Sequence, residues 1–96
     1  NAFDERTTLS AIQSLQLANV TENEIYEILL QVINVNVNSS KLLEQYIYQC
    51  AKTGLSNFGR TALSRIEAMT EPTVHSEITI KFNNLVNQRR QKILNR

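Results

Sequence analysis

Residues 14–25 read SLQLANVTENEI and connect two predicted helices through a short loop. Apolar Leu17 closes the first helix, and Asn19 turns the chain. Thr21 then begins the second helix, with Glu24 three residues later, which is the spacing of a capping box. The loop carries apolar side chains and no catalytic group. This combination indicates a docking surface more than an active site.

Helical spacing of apolar residues continues on both sides of this loop and predicts five helices. Asp4 supplies a side-chain cap for the first helix, and Gly54 stands where a glycine ends the third. Pro72 separates the fourth helix from the fifth, because the residue before a proline avoids the helical region. The expected helices cover about residues 5–18, 22–33, 39–52, 56–69 and 72–94.

Each helix has an apolar stripe that predicts its buried face. The second helix fits the amphipathic template completely, through Ile25, Ile28, Leu29, Val32 and Ile33. The stripe of the fifth helix consists of Val74, Ile78, Phe82, Leu85, Arg89 and Ile93. Between the second and third helices, Val35 and Val37 alternate with asparagines. We expect an extended link there, with both valines buried.

The composition fits one domain over residues 1–96, an all-α bundle with short loops. The net charge is +1, so no global field attracts nucleic acid. No apolar run approaches the roughly 20 residues of a membrane span. A single cysteine excludes an internal disulfide. Because the chain begins without Met, we expect it to be a fragment of a larger protein.

No residue pattern points to catalysis, a cofactor or a metal ion. His75 is the only histidine and lacks partners at ligand spacing, so we expect a solvated helix residue. The inner stripe of the third helix consists of Leu42, Leu43, Tyr46, Ile47 and Cys50. The place of Cys50 on this stripe is typical of a small core residue. We therefore expect a protein that is not an enzyme and that binds neither a cofactor nor a metal ion.

One set of residues bears on function, namely Ser14-Leu15, Asn19, Glu27, Leu29, Val37 and a predicted loop bearing Phe58. Together they resemble the integrase-binding domain of lens epithelium-derived growth factor and its hepatoma-derived relatives. That family belongs to the superfamily of N-terminal domains of transcription elongation factor TFIIS. The likeness covers about residues 14–70, and the later helices agree only in their amphipathic pattern.

The resemblance implies a compact right-handed helical bundle that binds short, disordered, often acidic motifs carrying aromatic residues. It implies two ligand loops, one between the first two helices and one before the fourth. Carried onto this sequence, the partner-binding residues are Leu17, Ala18, Asn19, Val20, Leu55 and Phe58. The resemblance also implies a module of the nucleus, whose partners are chromatin or transcription-elongation proteins.

Three cations, Lys52, Arg60 and Arg65, lie close to Phe58 in the sequence. Their charge is suited to steering an acidic peptide toward that ring. Relatives often carry an Asp in the first loop where this chain has Ala18. A bond to the uncharged neighbour Asn19 would be weaker than one to a carboxylate.

Other interpretations of the same residues stay open. Phe58 would plug the end of the bundle if it folds inward, and Leu17 with Val20 would form a hydrophobic staple. The basic C-terminal helix would bind nucleic acid through cations such as Arg89 and Arg90. No aromatic residues on which bases would stack lie between those cations, so we expect no nucleic-acid contact. We expect a monomeric protein-interaction domain that does not contact a membrane. A structural or oligomerising bundle is the remaining alternative.

Overall fold

The computed structural model describes residues 4–35 and 38–95, and within them it contains five α-helices and no strand. The helices are α1 (Glu5–Leu17), α2 (Glu22–Val35), α3 (Ser40–Thr53), α4 (Ser56–Glu67) and α5 (Pro72–Leu94). The predicted all-α bundle of five helices is confirmed. None of these helices combines the length and the hydropathy that a membrane span requires.

Side chains before three helices cap their first turns, as the sequence predicts. The Asp4 carboxylate accepts hydrogen bonds from the Thr7 hydroxyl at 2.8 Å and from the Thr7 backbone N–H at 3.5 Å. The hydroxyl contributes most to holding the pKa of Asp4 below its ordinary value. Thr21 Oγ1 accepts from the Glu24 N–H at 3.2 Å, which forms one half of the predicted capping box. Ser39 caps α3 in the same way.

The turn between α3 and α4 is a Schellman motif centred on Gly54. Gly54 has a φ of 82°, a left-handed conformation that disfavours any residue with a Cβ atom. Its N–H donates to the Ala51 carbonyl at 3.4 Å, and the Leu55 N–H donates to the Cys50 carbonyl at 2.8 Å. These bonds satisfy carbonyls at the end of α3 and fix the direction in which α4 leaves it.

The central helix is α3, because each of the other four helices packs against it. The sequence predicts one inward stripe for α3, but every residue from Tyr46 to Ala51 is buried. Tyr48 and Gln49 therefore lie in the interior although they fall outside that stripe. The Gln49 side-chain amide donates to the Glu22 carbonyl at 2.8 Å and so ties α3 to the first residue of α2.

A close approach between α4 and α5 depends on Gly59. This glycine is buried in the first half of α4. A Cβ atom added there would lie 2.4 Å from Phe82 Cε1 and 3.2 Å from Cys50 Cβ. Phe82 is itself fully buried. Three helices therefore meet at a point that has room for no side chain on α4.

The link between α2 and α3 differs from the expected extended segment. Val35 is the last residue of α2 and is 79% exposed, so the expectation that it is buried is wrong. Successive helical residues are rotated by about 100°, and Ile33 already occupies the buried face near this end. Val35, two residues later, points away from the core. Val37 lies outside the described residues.

The two ends of α5 also differ from expectation. At its start, His75 is half-buried and its Nε2 lies 3.1 Å from the Leu63 carbonyl oxygen, so it is not a freely solvated residue. The turn before Pro72 folds α5 back against α4 and brings the ring there. Along the rest of the helix, only Ile78 and Phe82 of the predicted stripe are fully buried, and both lie in the first half of α5. With 23 residues α5 is longer than α3 and α4, and Arg89 on its later turns is exposed.

Candidate functional site

An apolar groove runs between α2 and α4. Both helices pack against α3, and they do not pack against each other within the described residues. The groove between them has a volume of about 210 Å³. Its α2 wall is Leu30, Ile33 and Asn34, its floor is Leu43 and Tyr46 of α3, and its α4 wall is Phe58, Thr61, Ala62 and Arg65.

Phe58 forms the upper part of the α4 wall. It lies in the first turn of α4, so the expectation that it belongs to a loop is wrong. Its ring is 56% exposed and does not plug the bundle. The reason is the adjacent Gly59, which must face Phe82 because only a glycine fits there. The helical rotation of about 100° per residue then turns Phe58 outward, toward the groove.

The α4 wall is one helical stripe with large residues at its ends. Positions 58, 61, 62 and 65 follow the i, i+3, i+4, i+7 spacing of a single helix face. Thr61 and Ala62 are small, whereas Phe58 and Arg65 are long. The stripe therefore leaves a hollow between an aromatic ring and a guanidinium group, which suits an apolar side chain flanked by an acidic one.

The floor of the groove includes an uncharged tyrosine that pairs with a second tyrosine. The Tyr26 and Tyr46 hydroxyl oxygens are 3.5 Å apart, and the ring centroids are separated by 5.7 Å. Burial raises the pKa of Tyr46 far above its ordinary value, and the hydrogen bond with Tyr26 raises it further. Tyr46 therefore stays uncharged.

The first loop presents apolar residues in a different way. Leu17 is 89% exposed, whereas Val20 is half-buried and packs against the core. Ala18 caps α1, and its N–H donates to the Ser14 carbonyl at 3.0 Å. Asn19 has a φ of 61°, a conformation that asparagine tolerates better than most residues. Leu17 is thus available to a partner, and Val20 serves mainly the fold.

The structure does not place the first loop and Phe58 in one hollow. The groove wall on α2 begins at Leu30, and the loop precedes Glu22 at the opposite end of that helix. At a rise of about 1.5 Å per residue, Glu22 and Leu30 are roughly 12 Å apart along α2. The two predicted ligand regions are therefore separate surfaces of the same bundle.

The three cations also separate. Arg65 lines the groove with Phe58. Lys52 instead lines a cavity with Glu22 and the end of α5, close to the first loop. The Arg60 guanidinium carbon lies 5.7 Å from the Phe82 ring centroid, on the α5 side of α4. Leu55 is half-buried in the turn and packs against the core. Of the cations expected around Phe58, Arg65 is the one that shares its groove.

Sequence reasoning missed the α2 wall and the α3 floor. The groove residues that the sequence does not point to are Leu30, Ile33, Asn34, Leu43 and Tyr46. For Ile33, Leu43 and Tyr46 the sequence predicts only a place in the core. A signal for them exists in α2, whose apolar residues include Tyr26 and Leu30 in addition to its main stripe. An apolar arc that wide exceeds what one helix interface covers.

The Cys50 thiol is buried in the core. Burial raises the pKa of the Cys50 thiol to about 11, against a smaller opposing effect of its hydrogen bond with Tyr46. A protonated, enclosed thiol is a poor nucleophile. No group of three His, Cys, Asp or Glu residues among positions 4–35 and 38–95 is placed to hold a metal ion.

Comparisons with protein-family models, curated proteins and solved structures find no match to this chain.

Proposed function

We propose that this chain is a protein-interaction module whose docking site is the groove between α2 and α4. The observation that supports this most is the exposed ring of Phe58 above an open apolar hollow. Large aromatic residues beside a desolvated pocket are the typical anchors of protein–protein binding. At this level of α4 the contact with α5 is made by Gly59 and not by Phe58.

The partner is a short disordered segment with one bulky apolar or aromatic side chain and acidic neighbours. The apolar side chain would fill the hollow over Thr61 and Ala62. An acidic neighbour would lie beside Arg65, whose positive charge at the edge of the groove attracts a carboxylate. The remaining cations act at longer range, by raising the association rate.

The first loop is proposed as a second contact for the same segment. Leu17 is almost fully exposed there, and Lys52 lies near the start of α2. The roughly 12 Å along α2 from Glu22, next to the loop, to Leu30, at the groove, corresponds to about four residues of extended chain. One segment of about ten residues therefore reaches both surfaces.

The cellular setting is proposed from the family resemblance. Integrase-binding and TFIIS N-terminal domains bind such motifs, so the proposed partners are nuclear proteins of chromatin or transcription elongation. Ala18 in the first loop replaces an acidic residue that relatives often carry, so the apolar groove takes a larger share of the binding energy here.

The test is a map of backbone amide shifts by nuclear magnetic resonance during titration with a 15-residue acidic peptide that contains one Phe. A second peptide, with that Phe replaced by Ala, is the control. We expect shifts at Leu30, Phe58 and Thr61 with the first peptide and weaker shifts with the second. Shifts confined to the end of α5, with the groove and the first loop unchanged, would contradict the proposal.

A further inference from the structure

A second apolar cleft lies where α5 passes the turn between α3 and α4. Its volume is about 220 Å³, similar to that of the first groove. Ala51, Val86, Ile93 and Leu94 supply its apolar surface. Ile93 is 47% exposed and Leu94 is 69% exposed, although both are large aliphatic residues. They are neighbours in the last turn of α5, and their exposed surfaces line this cleft.

Positive charge surrounds this cleft. Arg89 and Arg90 line it, and Arg89 also lines an adjoining cavity of about 260 Å³ together with Lys52 and Lys92. Glu22 is the single acidic residue that lines either cavity. In the sequence no Asp or Glu follows Glu77. The cleft therefore combines an apolar floor with an almost uniformly basic rim.

Arg89, one of the cations of this rim, lies against the turn between α3 and α4. The Arg89 guanidinium lies so close to Gly54 that a Cβ atom on the glycine would come within 2.8 Å of Arg89 Cζ. The guanidinium thus sits over the C-terminal end of α3, where the helix dipole favours a cation.

Stabilisation of helix ends accounts for the cations but not for the aliphatic residues beside them. Lysine or arginine at the end of a helix lowers the energy of that helix. Exposed Ile93 and Leu94 give no such benefit, since apolar surface in contact with water is unfavourable. Exposed aliphatic residues next to cations fit a ligand that is apolar on one side and anionic on its flanks.

We infer that this cleft binds an acidic amphipathic segment of a partner protein, with aliphatic side chains on Ile93 and Leu94 and carboxylates on Arg89 and Arg90. A protein segment fits better than a nucleic acid. Among the described residues that line the cleft there is no aromatic ring on which a base would stack. A phosphate backbone would leave Ile93 and Leu94 uncovered. This inference does not depend on the groove at Phe58.

The experiment uses a synthetic 14-residue peptide with four Leu on one helical face and Glu elsewhere, and a 12-nucleotide oligothymidylate. Binding of each is measured by calorimetry to the parent chain and to Leu94→Ala and Arg90→Ala variants. Ile80→Ala and Lys41→Ala are the matched controls, since both residues are exposed and lie outside the cleft. Circular dichroism verifies that each variant is folded.

We expect Leu94→Ala and Arg90→Ala each to weaken peptide binding by about fivefold or more, while both controls leave it unchanged. Phe58→Ala should leave this binding unchanged, which separates the cleft from the proposed function. Weakening by Phe58→Ala, with Leu94→Ala silent, would overturn the inference. The inference would also be overturned if the oligothymidylate bound more tightly than the peptide. That binding would be lost in Arg90→Ala, retained in Leu94→Ala and steeply reduced by salt.

Discussion

Replacing Gly59 with Ala would raise the helix propensity of α4 but would also crowd its packing against α5. In an exposed helix interior, alanine is more favourable than glycine by about 1 kcal/mol. At this position the added methyl group would lie 2.4 Å from Phe82 Cε1 and 2.8 Å from Phe82 Cζ. Carbon atoms do not approach each other that closely, so the fully buried Phe82 ring would have to shift within the core. Overpacking a core costs about 1–3 kcal/mol, occasionally more.

Because a contact of 2.4 Å belongs at the upper end of that cost, we expect Gly59→Ala to destabilise the chain by about 2 kcal/mol after the gain of about 1 kcal/mol in helix propensity is subtracted. The assay is urea denaturation followed by circular dichroism. Ser64→Ala, at an exposed position of the same helix, is the control and should change stability by less than about 0.5 kcal/mol. Phe82→Leu should remove the clash, so the double variant should lose less stability than the sum of the two single variants. A neutral or stabilising Gly59→Ala would refute the account of how α4 is oriented.

Three further predictions concern the core and the caps. Leu29→Ala should destabilise by about 2–5 kcal/mol in denaturant, because Leu29 is fully buried, whereas exposed Gln88→Ala should have almost no effect. Alkylation of Cys50 at pH 7 should be far slower than that of a free thiol, since burial raises its pKa to about 11, and fast alkylation of folded protein would contradict this. The Asp4 cap stabilises α1 above pH 3.8 and weakens as the pH falls through the lowered pKa, so the protection of amides near Thr7, relative to the exchange rate of an unstructured chain at the same pH, should fall in acid. Asp4→Asn, which cannot titrate, should remove that pH dependence.

The starts of α1, α2, α3 and α5 and the end of α3 were predictable because they depend on local chemistry. Asp4, Thr21 and Ser39 cap helices where their side chains meet free N–H groups, and Gly54 and Pro72 separate the later helices. These residues act on their own neighbours in the sequence. No knowledge of the tertiary arrangement is needed to interpret them.

The identity of the central helix was not predictable from such signals. Gln49 is a polar residue on α3, and its burial depends on a hydrogen bond to Glu22, 27 residues away. Val35 was assigned to the interior because its alternation with asparagine imitates a strand, but α2 continues through it. His75 contacts the Leu63 carbonyl only because the turn before Pro72 folds α5 onto α4.

The candidate site was predictable in part. Phe58 stood out as an aromatic residue near a turn, and its exposure follows from the adjacent Gly59, whose role depends on Phe82 in another helix. The groove itself arises because α2 and α4 both pack on α3 and leave a space between them. A single sequence carries no direct signal for the space between two helices that do not touch.

The most direct test of the central claim compares the affinities of two variants for one ligand. Calorimetry with the 15-residue acidic, Phe-bearing peptide should show that Phe58→Ala weakens binding by about 2 kcal/mol or more, as for a central anchor. Ile80→Ala removes an equally exposed apolar residue of α5 from outside the groove and should leave the affinity unchanged. Equal affinities of both variants and the parent chain, with Phe58→Ala still folded, would contradict docking between α2 and α4.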